Sequence, residues 1–335
     1  MAAMLIADYG AGGLLPPLVL LAALLIDAIV GEFGPLFRVV PHPVAMIGAV
    51  TGWLDRRLNR DRRAAGTRAF RGAIVVIALA AAMAAFGWVL ADISRKIPYG
   101  WVIELLLVVL LVAQRSLFDH VRAVARALEQ EGLAGGRKAV AQIVGRDPEQ
   151  LDEHGVARAA IESLAESFSD AVVAPAFWYL LLGLPGLFVY KTINTMDSMI
   201  GYRTEQHAAF GMATARLDDA LNFIPARLAG AFIVAAAMFA PNGLSSGALK
   251  VMWRDGGKHR SLNAGRPEAA MAGALSIALS GPRRYAGKTV DEPWLGEEFS
   301  ARIGVVEIRR ALYLFVVACL VNAVVIAAVV TYVIA

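Results

Sequence analysis

Two stretches of this 335-residue chain, Gly72 to Ala91 and Ala311 to Ala335, contain no acidic or basic side chain. A helix rises about 1.5 Å per residue, so crossing about 30 Å of hydrocarbon takes roughly 20 residues. Both stretches are long enough. Leu14 to Val30 and Pro98 to Ala113 come close, each carrying one acid, Asp27 or Glu104. The sequence predicts four spans from these segments. Asp8, and not a basic cluster, precedes the first, so a retained span is expected there rather than a cleaved signal peptide.

Composition agrees. Hydrophobic residues make up 58% of the chain and charged residues 18%, with a mean hydropathy of +0.59, whereas soluble domains carry about 45–50% and about 25%. Two ordinary soluble cores and disorder are both excluded. The single cysteine, Cys319, excludes a disulfide framework and reads as a small apolar filler of the last span. A formal charge of +4 is too small to argue for a nucleic-acid partner, and none is expected.

Two further apolar stretches are broken. Ala171 to Tyr190 contains Gly183-Leu184-Pro185-Gly186, a turn signal that leaves a first arm too short to cross alone, and a re-entrant hairpin is expected. Leu228 to Leu249 is interrupted by Pro241-Asn242-Gly243 and either crosses or dips and returns. Irregular backbone at membrane depth is tolerated only where protein or a watery cavity satisfies it, so two hairpins imply a polar pocket. Seven arginines (Arg56, Arg57, Arg60, Arg62, Arg63, Arg68, Arg71) crowd one loop, against Arg95 and Lys96 in the next turn. The arginine-rich loop is therefore expected to be cytoplasmic. The fold class expected is all-α: a polytopic integral membrane protein with four to six membrane helices, broken or re-entrant hairpins and a cytoplasmic-side polar cavity. It reads as one membrane-embedded domain over 1–335, with 114–170 as a cytoplasmic helical insertion. No internal repeat of 20–50 residues is present in the sequence.

Three polar blocks carry the candidate chemistry. In the first, Glu162, Glu166 and, if the helix continues, Asp170 fall at i, i+4 and i+8. Like charges at that spacing repel unless a metal, an arginine such as Arg158 or a cationic ligand neutralises them. A solvated acidic face has the same spacing. In the second, Lys191, Asn194 and Asp197 or Ser198 share a helical face, and Asp218, Asp219, Asn222 and Arg227 repeat the pattern. Charges beside membrane-depth segments usually mark functional pathways or pairs, although Lys191 and Arg227 could simply snorkel at hairpin ends. In the third, Ser261, Asn263 and Gly265 lead into a helix with Pro267 and Glu268 in its first turn, a weak anion-site pattern. Gly281 and Gly287-Lys288-Thr289 fail the phosphate-loop spacing by one residue. The five histidines form no zinc motif; His42, held in Pro41-His42-Pro43, is either a positioned polar group or an ordinary interfacial side chain.

Several blocks together resemble the CobD/CbiB family of cobalamin biosynthesis, the adenosylcobinamide-phosphate synthases. They are PHPVAMIG (Pro41 to Gly48), VGRD with DEHGVARAAIESLAE (Asp152 to Glu166), KTINTMDSMIGY (Lys191 to Tyr202), ARLDDALNFIPARL (Ala215 to Leu228) and SLNAGRPEAAMAGAL (Ser261 to Leu275). The resemblance covers nearly the whole chain. It departs at Leu262, where relatives commonly have proline, and at Ser167, where they have asparagine.

The resemblance implies a bacterial inner-membrane amide ligase that joins aminopropanol, or its phosphate, to the free carboxylate of adenosylcobyric acid at the expense of ATP. Lys191, Asp197, Asp218, Asp219 and His42 are then the expected catalytic set, with His42 taking the proton from the attacking amine. Glu162, Glu166, Asp197 and Asp218 are the expected Mg²⁺ ligands, not all at once, because Mg²⁺ usually takes one or two carboxylates with water and phosphate oxygens. Arg203 and Arg216 are expected at phosphates, and Asn194, Asn222 and Asn263 at the corrinoid amides. Phe177, Trp178 and Phe223 would face the corrin ring. Cobalt enters only within the corrinoid substrate. Membrane lipid is an expected partner, with other cobalamin-pathway proteins or a second copy left open. The rival reading is a corrinoid binder or transporter with broken helices around its site; a lipid head-group transferase would share the carboxylates.

Overall fold

The computed structural model describes residues 15–31, 42–145, 147–201, 204–240, 244–285 and 288–334. The chain is almost wholly helical: α1 Pro16–Val30, α2 Pro43–Leu58, α3 Ala65–Lys96, α4 Trp101–Leu111, α5 Gln114–Val140, α6 Glu153–Phe168, α7 Ala174–Ile200, α8 Met212–Ala236, α9 Ser245–Asp255, α10 Gly265–Leu275 and α11 Val305–Ile334. Five helical stretches are long and apolar enough to cross a membrane: Ala65–Lys96, Trp101–Val140, Glu153–Ile200, Met212–Ala236 and Val305–Tyr332. Only 17% of the apolar window of α3 is buried, and Ile74, Ile77, Phe86 and Trp88 stand exposed along it. Such a continuous apolar surface belongs in lipid. The expected all-α, multi-pass membrane architecture is what the chain adopts.

The chain divides into two compact units. Unit 1 comprises Met1–Ala113, Ala174–Asn222 and Ile326–Ala335. In it, α1 packs on α4 and α7, and α3 packs on α7. Its apolar clusters centre on Leu20, Leu24, Leu111, Tyr179, Leu184 and Phe188, and on Val76, Ile193, Met196 and Phe210. Close approach depends on Gly87, where a Cβ would lie 2.8 Å from the Pro185 backbone. The turn expected at 183–186 is a break one residue wide: Gly183 adopts φ 63°, ψ −151°, and helix resumes with Pro185 in its first turn. Glycine takes this conformation without the steric penalty that a Cβ imposes. The sole acid of α4, Glu104, is fully buried and satisfied, accepting the Tyr179 hydroxyl at 2.7 Å and the Ser94 hydroxyl at 3.5 Å.

Unit 2 comprises Gln114–Val173 and Phe223–Val325. Its core joins α5, α6, α9, α10 and the first part of α11 through residues such as Val124, Leu128, Ile161, Leu164, Phe168, Met271 and Phe315. The interruption expected after Leu228 falls between α8 and α9, with Pro241-Asn242-Gly243 outside the described residues. One difference in extent concerns α8: the helical face expected for Asp218, Asp219, Asn222 and Arg227 is continuous with the apolar stretch after Leu228 in a single helix from Met212. Leu217, Leu221, Ile224 and Leu228 recur there at helical spacing, enough to hold the polar residues on a helix rather than in a loop.

A second difference is a small β insertion between α10 and α11. Strand β1 (Leu279–Ser280) pairs with β4 (Trp294–Leu295), and β2 (Arg283–Tyr285) pairs with β3 (Lys288–Val290), both antiparallel. Positive φ at Ser276, Ser280, Gly281 and Gly296 ends α10 and turns the chain. Asp255, at the end of α9, locks this insertion. It is fully buried, accepts from Arg254 at 2.5 Å, Lys258 at 2.7 Å and the Gly296 N–H at 3.0 Å, and Arg254 also grips Glu298 at 2.6 Å. Burial pushes the Asp255 carboxyl upward, but these three sets of donors outweigh it and hold the group well below the usual carboxylate range.

Candidate active site

A cavity of about 550 Å³ opens in unit 1 where four segments meet. Asp27 and Gly31 from the end of α1, His42 and Val44 from the start of α2, the end of α4 and Lys191 from α7 line it. Asp27 is 3% exposed and Lys191 8%. Burying a carboxylate and an ammonium is costly unless each meets an opposite charge or a hydrogen-bond partner, and one cavity holding both signs suits a charged polar ligand.

His42 is the N-cap of α2, with Pro43 preset in the first turn, and its Nδ1 accepts the Val44 N–H at 3.2 Å. With Nδ1 occupied as an acceptor, a neutral ring carries its proton on Nε2. His42 therefore offers the cavity a donor while the cap is intact.

Along α7 from Lys191, a second polar group forms with the head of α8. The Tyr190 hydroxyl donates to Asn222 Oδ1 at 2.9 Å, and Asn222 Nδ2 donates to Asp218 Oδ2 at 3.0 Å. Asn194 also hydrogen-bonds Asp218, and the carboxylates of Asp197 and Asp219 lie close enough to repel it. Asn222 is 1% exposed. The Oδ1 atom of Asp218 is buried and takes no hydrogen bond from any described residue. Crowded carboxylates with an unsatisfied hard oxygen suit a cation. Among the described residues no three His, Cys, Asp or Glu side chains are grouped to hold a metal by themselves. A cation held here would take one or two of these carboxylates and its remaining ligands from elsewhere.

The remaining expected residues are distributed as follows. Asp219 and Arg216 are exposed on α8. Arg203 lies outside the described residues. Glu162, Glu166 and Asn263 belong to unit 2. Glu162 is buried and its Oε1 accepts the N–H of Ser280 at 2.8 Å, holding a residue with φ 62°; Glu166, one turn on, is exposed. The α-helix ends at Phe168 and passes into a π-helical stretch, Ser169–Val173, so the continuous helix needed to align Asp170 with these two is not present. Asn263 is buried and accepts from Arg227 at 3.4 Å, in a turn where the Ser261 hydroxyl accepts the Ala264 N–H at 3.1 Å. Of the aromatic residues, Trp178 donates to the Leu221 carbonyl at 3.1 Å. Phe223 stacks beneath Arg227 at 3.5 Å.

The residues missed by sequence reasoning are Asp27 and Tyr190. Asp27 had a signal, since a lone acid inside an apolar stretch is costly and commonly functional. Glu104 has the same signal but lies outside the cavity, accepting from Tyr179.

The family model described as CobD/Cbib protein matches residues 20–315. A protein of a Sinorhizobium species named "Cobalamin biosynthesis protein CobD" is 49% identical over 91% of this chain and 95% of its own length. Proteins with the same name from Brucella anthropi and Rhodobacter capsulatus are 47% and 48% identical, over 89% and 82% of this chain and 92% and 85% of their own lengths. No solved structure matches. With matched family blocks supplying His42, Lys191, Asp197, Asp218 and Asn222, the chain belongs to the CobD/CbiB protein family.

Proposed function

We propose that this chain acts in cobalamin biosynthesis as the amide ligase that joins aminopropanol, or its O-phosphate, to the free propionate of adenosylcobyric acid, consuming ATP, at the cytoplasmic side of the bacterial inner membrane. The observation that carries the reading is the meeting of Asp27, His42 and Lys191 around one cavity of about 550 Å³, a volume within the usual range for small-molecule sites.

An unactivated carboxylate is a poor electrophile. The γ-phosphoryl of ATP passes to the corrinoid propionate, giving an acyl phosphate and ADP; the amine then attacks the carbonyl, phosphate leaves, and the nitrogen loses a proton. Asp27 receives the incoming ammonium and is the group with a lone pair to accept its proton, because His42 presents an N–H. His42 donates to an oxygen of the reacting carboxyl. The Lys191 ammonium balances phosphate or carboxylate charge as a point charge. Asp197 and Asp218 would hold Mg²⁺, which supplies neutralising charge on the phosphates. Asn222 and Asn194 keep Asp218 oriented. Glu166, Asp219, Arg203, Arg216 and Asn263 stay as candidates for metal, phosphate or amide contacts, whereas Glu162, engaged by the Ser280 N–H, is given a structural role.

The test is reconstitution. Purified protein incubated with adenosylcobyric acid, aminopropanol phosphate and Mg-ATP is expected to form the amide, read by mass spectrometry; absence of product with all three present counts against the ligase. The break at Gly183 within an apolar stretch favours a second reading, a corrinoid transporter. Corrinoid uptake by proteoliposomes without amide formation would favour that one.

A further inference from the structure

In unit 2, away from every residue assigned above, a groove of about 680 Å³ runs between α5 and the polar end of α11. Arg122 and Arg126 stand exposed one turn apart on α5, and Arg309 faces them from α11. Arg309 is already bound to Glu129 at 2.6 Å. Arg122 and Arg126 make no ion pair with any described residue. Three guanidinium groups against one carboxylate leave two positive charges over, and like charges at i, i+4 repel. The groove is thus charged for an anion.

Its lower wall has a different chemistry. Phe118, Leu312 and Val316 line it, and below them along α11 Leu320 and Val324 are 57% and 67% exposed. Helix α11 is long and apolar enough to cross a membrane, with Arg309 and Arg310 near its first turn. That order, basic residues above an uncovered apolar strip, marks the head-group level of a bilayer. Helix α5 fits the same level: Leu117, Val121, Val124 and Leu128 enter the core while the arginines project on another face. Tyr313, half exposed beside Arg309, is the residue type that favours this depth.

We infer that the groove binds an anionic phospholipid, its phosphate held by Arg122 and Arg126 and its acyl chains laid along Leu312, Val316 and Leu320. Guanidinium forks match phosphate oxygens bidentately. A nucleotide would supply the phosphate but leave the apolar strip uncovered, so a lipid fits both walls.

The full-length protein is reconstituted in nanodiscs of phosphatidylcholine with and without phosphatidylglycerol, and retained lipid is counted by native mass spectrometry alongside thermal unfolding. Phosphatidylglycerol is expected to be retained over phosphatidylcholine by about tenfold and to raise the unfolding temperature. Arg122→Gln with Arg126→Gln removes most of that preference, and Arg122→Lys with Arg126→Lys restores part of it. Inorganic phosphate and Mg-ATP, added to phosphatidylcholine nanodiscs, shift the wild type and the glutamine variant alike, because any such binding belongs to unit 1. Equal retention of the two lipids by the wild type, unchanged preference in the glutamine variant, or a shift with phosphate or Mg-ATP that the glutamine variant loses would each overturn the inference. Both exchanged arginines are exposed, and the lipid preference of the wild type is read without any variant.

Discussion

The Tyr190 hydroxyl donates to Asn222 Oδ1 at 2.9 Å, and Asn222 in turn donates to Asp218 at 3.0 Å. One buried amide thus ties α7, beside Lys191, to the carboxylate group at the head of α8.

Asn222→Leu takes an acceptor from the tyrosine hydroxyl and a donor from the aspartate. Leaving buried polar groups unsatisfied costs about 1–3 kcal/mol, so thermal unfolding is expected earlier, together with loss of amide formation. Tyr190→Phe removes one donor and is expected to cost about 1 kcal/mol, with most activity kept. Thermal unfolding and product assays on the two variants check the ranking; a more damaging Tyr190→Phe would contradict it.

The carboxylates of the two units should separate cleanly. Glu162→Gln keeps an oxygen to accept the Ser280 N–H, and is expected to retain fold and activity. Asp197→Ala combined with Asp218→Ala is expected to abolish activity and to weaken Mg-ATP binding measured by calorimetry. Activity lost in Glu162→Gln but retained in the double variant would move the Mg²⁺ role to α6.

Gly183 sits at φ 63°. With ψ −151° it lies in a region essentially reserved for glycine, where a Cβ costs about 1–3 kcal/mol, so Gly183→Ala is expected to lower the unfolding temperature by several degrees. The neighbouring contact is tighter, since a Cβ on Gly87 would stand 2.8 Å from backbone; Gly87→Val is expected to be worse than Gly183→Ala in the same measurement.

Acid should act on unit 2 through Asp255. Its folded pKa is depressed below the unfolded value of about 3.9. The stability it contributes is therefore fully present above that value and is lost as pH falls through the folded pKa. Chemical unfolding of wild type and Asp255→Asn is expected to differ by about 2 kcal/mol at neutral pH. The gap should stay constant down to about pH 5 and close only below about pH 4. Glu298, held low by the hydrogen bond from Arg254, adds the same sign. A gap that widens on acidification would be wrong in sign.

Much of the scaffold was legible because lipid imposes a simple rule: α3 and the last helix announce themselves as stretches free of charge. Gly183 and the Pro-His-Pro entry to α2 were also readable, since each residue type has few backbone options. The helical face of Asp218, Asp219, Asn222 and Arg227 was readable as well, whereas its continuity with the apolar stretch after Leu228, in one helix from Met212, was hidden because the polar residues interrupt the apolar pattern that marks a span. The β insertion was hidden for another reason: Gly281-Pro282 and Pro293 show only that helix stops. The site divides in the same way. Lys191, Asp197, Asp218 and Asn222 stand out as polar residues beside apolar ones, whereas the roles of Asp27 and Glu104 are decided by what faces them. Tyr179 closes off Glu104, while a cavity opens at Asp27, and neither fact is local in sequence.

The most direct measurement is amide formation by Asp27→Asn and Lys191→Met at saturating and limiting aminopropanol phosphate, with folding verified by thermal unfolding. If the cavity is where the amine couples, both variants fold and lose at least about a hundredfold in kcat/KM, consistent with losing a charged partner in a buried site. Folded variants with wild-type kinetics would contradict a coupling site at this cavity.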